Sequence, residues 1–349
     1  MNVAVLGAGG FIGSHMVQHL LHREEHSIVG IDITDEKLEG ISGPAFTFHH
    51  ANTMEAPELL EEVVRDSDVV VDLIAYANPS IYVESPLEVY RLNFEANLKI
   101  VEYCIRHKKR LMQYSTAEIY GKPAEGITQY TEESTDFVYG PVTKQRWIYA
   151  AAKQLLERVI HAHGLRGELE YTIIRPFNFV GSRFDYLVDA GSMGGPRVFA
   201  HYMSALLQDG PMYLVDGGEQ MRAFTHIEDA NKAFQTLIDH PDETRNEAYN
   251  IGNPANNTSI RGLAETMRAI YHEMTGRESG SELVDVSGRE FYGEGYEDTS
   301  RVPPDISKLG ALGWQPTRDL HTTFSDAMAA YLHSDAASVG TPPAVPAAT

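Results

Sequence analysis

Tyr149-Ala150-Ala151-Ala152-Lys153 sets a phenol and an ammonium four residues apart. In a helix that spacing puts both side chains on one face. A free tyrosine titrates near pH 10, too high for a base at neutral pH, but a fixed cation beside it stabilises the phenolate and brings that value down. A tyrosine so adjusted can take the proton of a substrate hydroxyl. The same five residues in an arbitrary helix would be a packed tyrosine and a solvated lysine, so the reading depends on what accompanies them.

A glycine cluster accompanies them. Gly7-Ala8-Gly9-Gly10-Phe11-Ile12-Gly13 lies between a short Val/Leu run and a stretch of helical spacing. Gly7 permits a tight turn, Gly10 lets the backbone approach a pyrophosphate, and Gly13 lets helix and strand pack closely. Phe11 and Ile12 open the helix, whose unpaired N–H groups suit phosphate oxygens. Asp32, followed by Ile33, ends the second apolar run about 20 residues on, where a carboxylate accepts from a free ribose 2′-hydroxyl and repels a 2′-phosphate. The cofactor expected is NAD rather than NADP. Its positive nicotinamide would add to the effect of Lys153 on Tyr149 and take the hydride when the hydroxyl loses its proton.

These groups need a scaffold. Residues 2–7, 27–33, 46–50, 69–74, 110–115 and 170–175 read as strands, with helical segments between them. The run 69–74 is apolar except for Asp72. Such alternation predicts a parallel sheet covered on both faces, an α/β Rossmann-type doubly wound fold. After Pro176 the texture changes to a glycine-rich loop at 189–196 and a polar stretch at 278–304 holding Tyr292 and Tyr296. The expected organisation is an NAD-binding domain over 1–177 with a returning segment at about 222–255. A smaller C-terminal substrate-binding cap is expected from 178–221 and 256–334, and an unstructured small-residue tail at 335–349.

Composition narrows the partners. The formal net charge of -21 argues against nucleic acid and anionic membrane, so a bound phosphate must meet local arginines or backbone N–H groups. No run reaches membrane-spanning length. The first apolar run is too short for a signal-peptide core, and Cys104 is the single cysteine, so the chain reads as cytoplasmic and free of disulfides. His15, His19 and His22 fall at helical spacing and read as a polar stripe; no metal site is expected.

Gly7-x-x-Gly10-x-x-Gly13, Ser115-Thr116 at a strand end and Tyr149-x-x-x-Lys153, in that order, resemble the extended short-chain dehydrogenase/reductases, the NAD-dependent epimerase/dehydratase family. The resemblance runs from about residue 1 to 333. It implies that Thr116 bonds the reacting hydroxyl, Tyr149 is the base, and Lys153 holds the nicotinamide ribose. It further implies a nucleotide-diphosphate sugar as substrate and a homodimer built through two helices, one bearing Tyr149. Ala75, after the fourth strand, and Asn52, after the third, would border the cofactor; Asn52 stands where an aspartate is common.

Three longer runs, 144–149, 175–178 and 291–296, resemble the UDP-apiose/UDP-xylose synthases and the UDP-glucuronate decarboxylases. That likeness implies oxidation of the sugar C4 to a ketone, chemistry beside it, and return of the same hydride. It implies substrate contacts from Arg146, Asn178, Arg183, Arg197, Arg222 and Tyr292, and an acid/base role for Glu118. Thr116-Ala117-Glu118 departs from the pattern, because Ala117 replaces the serine of decarboxylases, the aspartate of dehydratases and the cysteine of apiose synthases. The apiose synthases' second thiol is also missing from 75–79. Dehydration and ring contraction are therefore disfavoured. Epimerisation of a nucleotide sugar through a 4-keto intermediate is placed first, with decarboxylation as the alternative. A non-catalytic NAD sensor is a weaker alternative, since both Tyr149 and Lys153 are kept.

Overall fold

Short apolar runs with no polar face can only be buried inside a sheet that is covered on both sides. The computed structural model describes residues 1–332 and puts the runs there. The strands are β1 (Asn2–Leu6), β2 (Ser27–Asp32), β3 (Phe46–His50), β4 (Val69–Asp72), β5 (Arg110–Tyr114), β6 (Tyr171–Pro176) and β7 (Glu247–Ile251). They form one seven-stranded sheet, paired in parallel in the order β7-β6-β5-β4-β1-β2-β3. The winding reverses between β1 and β4, the switch point beyond whose carboxyl ends a nucleotide crevice opens.

The principal helices are α1 (Phe11–Arg23), α2 (Pro57–Asp66), α3 (Asn97–His107), α4 (Trp147–Leu165), α5 (Val198–Gln208), α6 (Ile227–Asp239), α7 (Ile260–Thr275) and α8 (Leu320–Leu332). Alternate residues of β1 feed two cores. Ala4 and Leu6 pack with Leu60 of α2, Ile100 of α3 and Leu156 of α4. Val3 and Val5 pack on the other face with Met16 and Val17 of α1 and Phe234 of α6. This second core continues without a break into Phe199 and Tyr202 of α5 and Leu263 and Met267 of α7. The segments after residue 177 therefore share their apolar interior with the sheet rather than standing apart from it.

The seventh strand has no clear sequence signal. Glu247–Ile251 is short and contains a buried Asn250, whose polar groups are all used in the interior. Its amide donates to the Tyr130 carbonyl at 3.0 Å, its side-chain oxygen accepts from the Tyr120 hydroxyl at 2.8 Å, and its N–H donates to Glu132 Oε1 at 2.9 Å. The histidine stripe needs correction too. His15 reaches the Ser182 carbonyl at 2.7 Å and packs edge-on against Phe11. Burial pushes its pKa down to about 4, so it is neutral packing rather than solvated surface. The expected tail at 335–349 lies outside the described residues. No described helix is long and apolar enough to cross a membrane.

Gly13 tests how α1 is seated. A Cβ there would stand 2.1 Å from the Gly7 carbonyl oxygen and 2.8 Å from the Ala8 Cα, both backbone atoms that cannot swing aside. Gly13→Ala is expected to cost about 1–3 kcal/mol, read as a lower urea midpoint. Gly310→Ala, where nothing lies within 4 Å, is expected to leave the midpoint unchanged or slightly raised.

Candidate active site

The loop after β1 is shaped by steric necessity. Gly7 has φ +89°, and a Cβ on Gly9 would fall 1.8 Å from the Thr34 carbonyl oxygen. Gly9 is thus the tightest of these glycines, although the fingerprint reading rests on Gly7, Gly10 and Gly13; the consecutive Gly9-Gly10 pair was its only sequence signal. The Gly9 N–H donates to Asp32 Oδ2 at 2.9 Å, while Asp32 Oδ1 accepts from the N–H groups of Ile33 at 2.7 Å and Thr34 at 3.2 Å. Asp32 therefore stitches the end of β2 to the glycine loop. Burial pushes its pKa up and these backbone N–H groups oppose that. Gly10 precedes α1 with no side-chain cap and no acid in the first turn, which leaves the helix N-terminus to an anion. A cradle that excludes Cβ atoms, an uncapped helix and a carboxylate at the β2 end fit NAD.

A single cavity begins at Phe11 and Ile12, passes Ala75, and reaches Tyr149 and Lys153. The loop carrying Ala75 is fixed by the buried Asn93, which accepts from the Tyr76 N–H at 2.9 Å and donates to the Tyr76 carbonyl at 3.1 Å. Like Gly7, Gly10, Gly13 and Asp32, neither Asn52 nor Ile33 lines this cavity. Asn52 closes its own turn, accepting from the Met54 N–H at 3.0 Å and donating to Glu55 at 3.0 Å, and Ile33 is exposed.

Tyr149 and Lys153 share a face of α4, and both are buried. The Tyr149 ring stacks on Tyr82 with centroids 4.6 Å apart. Lys153 Nζ donates to the Tyr114 carbonyl, at the end of β5, at 3.1 Å. The sequence expectation counted on Lys153 together with a bound positive nicotinamide; among the protein's own groups burial has the largest effect on Tyr149. Burial raises its pKa, and the hydrogen bond with Thr116 recovers only part of that. Burial likewise lowers Lys153, opposed by Asp72 and Glu157. A further positive charge in the cavity is needed before Tyr149 can act as a base at neutral pH.

Glu118 follows the end of β5, where the Thr116 hydroxyl accepts its N–H at 3.1 Å. Its carboxylate lies between two guanidiniums: Oε2 accepts from Arg146 Nη2 at 2.9 Å, and Oε1 pairs with Arg301. Burial alone would raise its pKa, but Arg146 and Arg301 overcome this and hold it down to about 2. Arg301 escaped the sequence reading because it is a lone arginine in a polar stretch, brought to Glu118 only by the fold. Arg146 is 3% exposed and flanked by the rings of Trp147 and Tyr296, and its Nε and Nη1 have no partner.

Arg222, Arg197, Asn178 and Tyr292 also line the cavity. Arg222 pairs with Asp298 at 2.5 Å, and Tyr292 stacks on Tyr296 at 4.1 Å. Arg197 lies 3.9 Å from the centroid of Phe184 and bonds Asp185 at 3.1 Å. Asn178 donates to the Ala223 carbonyl at 2.9 Å. Arg183 is not brought to the cavity; it donates to Gln18 of α1 at 2.8 Å. Ala117 is likewise absent from the lining. Its methyl packs in an apolar cluster with Ile119, Tyr120 and Phe177, so its lack of a titratable group says little about the reaction.

The sequence model of the NAD dependent epimerase/dehydratase family matches residues 3–252. Over 363 residues the chain is 36% identical to UDP-D-apiose/UDP-D-xylose synthase 2 of Arabidopsis thaliana, covering 94% of this chain and 93% of that one. It is 37% identical over 344 residues to the UDP-D-apiose/UDP-D-xylose synthase of Oryza sativa subsp. japonica, covering 92% and 86%. Among solved structures, the PbgP3 protein of Burkholderia pseudomallei superposes with TM-score 0.84 at 32% identity, over 95% of this chain and 96% of that one. A UDP-glucuronic acid 4-epimerase of Bacillus cereus shares the fold at TM-score 0.76 and 21% identity, over 95% and 98%.

Removing the Glu118 charge leaves two buried guanidiniums facing each other. Glu118→Gln is expected to cost about 3–5 kcal/mol in urea unfolding at pH 7. Because the folded-state pKa lies below the ordinary carboxyl value, the stabilisation is complete above about pH 4.5 and is lost as pH falls towards about 2. The gap between wild type and variant should therefore narrow as pH is lowered through that window; a constant gap would show that the carboxylate charge is not what matters.

Proposed function

Because the chain belongs to the NAD dependent epimerase/dehydratase family, we propose that it removes the carboxyl group of a UDP-linked uronic sugar to leave a UDP-pentose. The observation that carries this reading is Arg146. A buried guanidinium with two nitrogens unpaired, in the wall of the cavity that holds Tyr149, is an unmet demand for an anion. A sugar carboxylate would meet it through a charge-assisted hydrogen bond. The synthases that the chain resembles are named for UDP-xylose, a sugar with one carbon fewer than a hexuronate, which supports the same reading. This moves decarboxylation ahead of epimerisation, whose priority rested on Ala117.

Bound NAD supplies an acceptor that holds the C4 hydride of the sugar and later returns it. The chain's own groups do the rest. Tyr149, oriented by Thr116, takes the C4 hydroxyl proton as the hydride leaves. The resulting C4 ketone is β to the C5 carboxylate held by Arg146. The C–C bond to the carboxyl group then breaks, carbon dioxide departs, and the electron pair moves onto the C4 oxygen as an enolate. A proton taken up from water adds to C5 and restores the ketone, and Tyr149 gives its own proton back to the C4 oxygen as C4 is reduced. Glu118 is ionised at neutral pH, so it serves as an anchor for Arg146 and Arg301 or as a base, not as an acid. Ring contraction is not part of the proposal: Cys104, the single cysteine, is buried in the core against α2 and α4.

Incubation with NAD and UDP-glucuronate, followed by mass spectrometry, tests the reading. The expected product is lighter by carbon dioxide; an isomer of unchanged mass would favour epimerisation instead. Steady accumulation of NADH would refute internal return of the hydride. Tyr149→Phe is expected to lower turnover by about 10²–10⁴-fold while NAD still binds. Arg146→Met is expected to lower kcat/KM for UDP-glucuronate by roughly tenfold to a hundredfold, with UDP affinity nearly unchanged.

A further inference from the structure

Asp72 is the last residue of β4 and is fully buried. A carboxylate inside a sheet is costly unless hydrogen bonds and an opposite charge meet it. Asn97, the first residue of α3, donates to its Oδ2. Gln113, its register partner on β5, donates to the same oxygen at 2.9 Å. The Ile74 N–H donates to Oδ1 at 3.0 Å. The Gln113 amide also approaches the Tyr114 carbonyl at 3.3 Å, and that carbonyl accepts from Lys153 Nζ. One short polar chain thus joins Asp72 to Lys153 beneath the cavity. Asp72, Asn97 and Gln113 do not line the cavity, so a bound sugar would not meet them.

Lys153 is 1% exposed. Burial favours its neutral form, and a positive nicotinamide ring in the same cavity favours it further. The pair on α4 can lose its first proton in two ways. Loss from Tyr149 leaves a phenolate beside an ammonium, which is a usable base. Loss from Lys153 leaves an un-ionised phenol beside an amine, which is not. Among the remaining groups around the pair, Glu157 also favours the charged lysine, after Asp72. Glu157, one turn further along α4, is already paired with Arg175 of β6 at 2.6 Å. Cys104 of α3 is held as a neutral thiol, its pKa raised by burial and by Asp72. Glu118, Arg197 and Arg301 face Tyr149 from the cavity side. Tyr82 lies flat against its ring.

We propose that Asp72 is a positioning residue whose buried carboxylate keeps Lys153 charged, so that the proton lost from the pair comes from Tyr149. This rests on the hydride-transfer role of Tyr149 and Lys153 and not on the identity of the sugar.

Asp72→Asn removes the charge with little change in size. The NAD-bound enzyme is titrated without sugar, following tyrosinate absorbance in the near ultraviolet. Subtracting Tyr149→Phe in each background isolates Tyr149. Asp72→Asn is expected to move that signal up by about one to three pH units. Asp72→Ser is expected to do the same, and covers the case in which the Asn variant fails to fold. In a Lys153→Met background, Asp72→Asn is expected to add no further upward shift. A Tyr149 signal left in place or moved down, or an equal upward shift without Lys153, would overturn the proposal. A drop in stability with the titration unchanged would overturn it in favour of a purely structural role. Because no sugar is present, failure here is distinct from failure of UDP-glucuronate as substrate.

Discussion

Lys153, Arg146, Arg301 and Asp72 are taken out of water within the same region, with Glu118 mostly buried among them, and a buried ion persists only where opposite charge and hydrogen bonds meet it. Much of the local architecture serves that requirement. β5 ends by delivering the Tyr114 carbonyl to Lys153, and Thr116, two residues on, fixes the Glu118 N–H with its hydroxyl. α4 carries Arg146 at its start and Tyr149 and Lys153 on one face. The polar stretch after residue 278 brings Arg301 and Asp298 back across the opening. Glu118 is the point where these three parts meet.

The arrangement is balanced but incomplete. Arg222 is matched by Asp298, and Arg175 by Glu157. Arg146 shares one nitrogen with Glu118 and leaves two without partners. An arginine held between the rings of Trp147 and Tyr296 has little freedom left to lose, which suits the anion contact proposed for it. The same low-polarity surroundings that strengthen such a contact also raise the Tyr149 phenol. The proposed carboxylate contact and the proposed base thus depend on one property of the cavity, its exclusion of water.

The glycine loop works by a different constraint, which is space. Gly9 and Gly13 are pressed against backbone oxygens of Thr34 and Gly7. That crowding sets α1 directly behind the loop, with its uncapped N-terminus towards the cavity. Asp32 adds a second function to the one expected of it, because its carboxylate also holds the loop by the Gly9 N–H.

The parallel sheet, the glycine loop and the Tyr149–Lys153 face were legible in the sequence, because each depends on local spacing: a two-residue or four-residue period, or a steric need for glycine. The family resemblance was legible for the same reason, in contiguous runs such as 144–149. What the sequence could not order was the set of long-range meetings. Arg301 joins Glu118 across 183 positions, and β7 enters the sheet without an apolar pattern of its own. Arg183 and Ala117, singled out by position, are absent from the cavity lining: Arg183 is bonded to Gln18 and Ala117 packs in an apolar cluster. Asp72 stood out in the sequence only as an acid in an apolar strand. Its place beneath Lys153 depends on β4, β5, α3 and α4 packing together, and only the tertiary structure decides which charges share a low-dielectric interior.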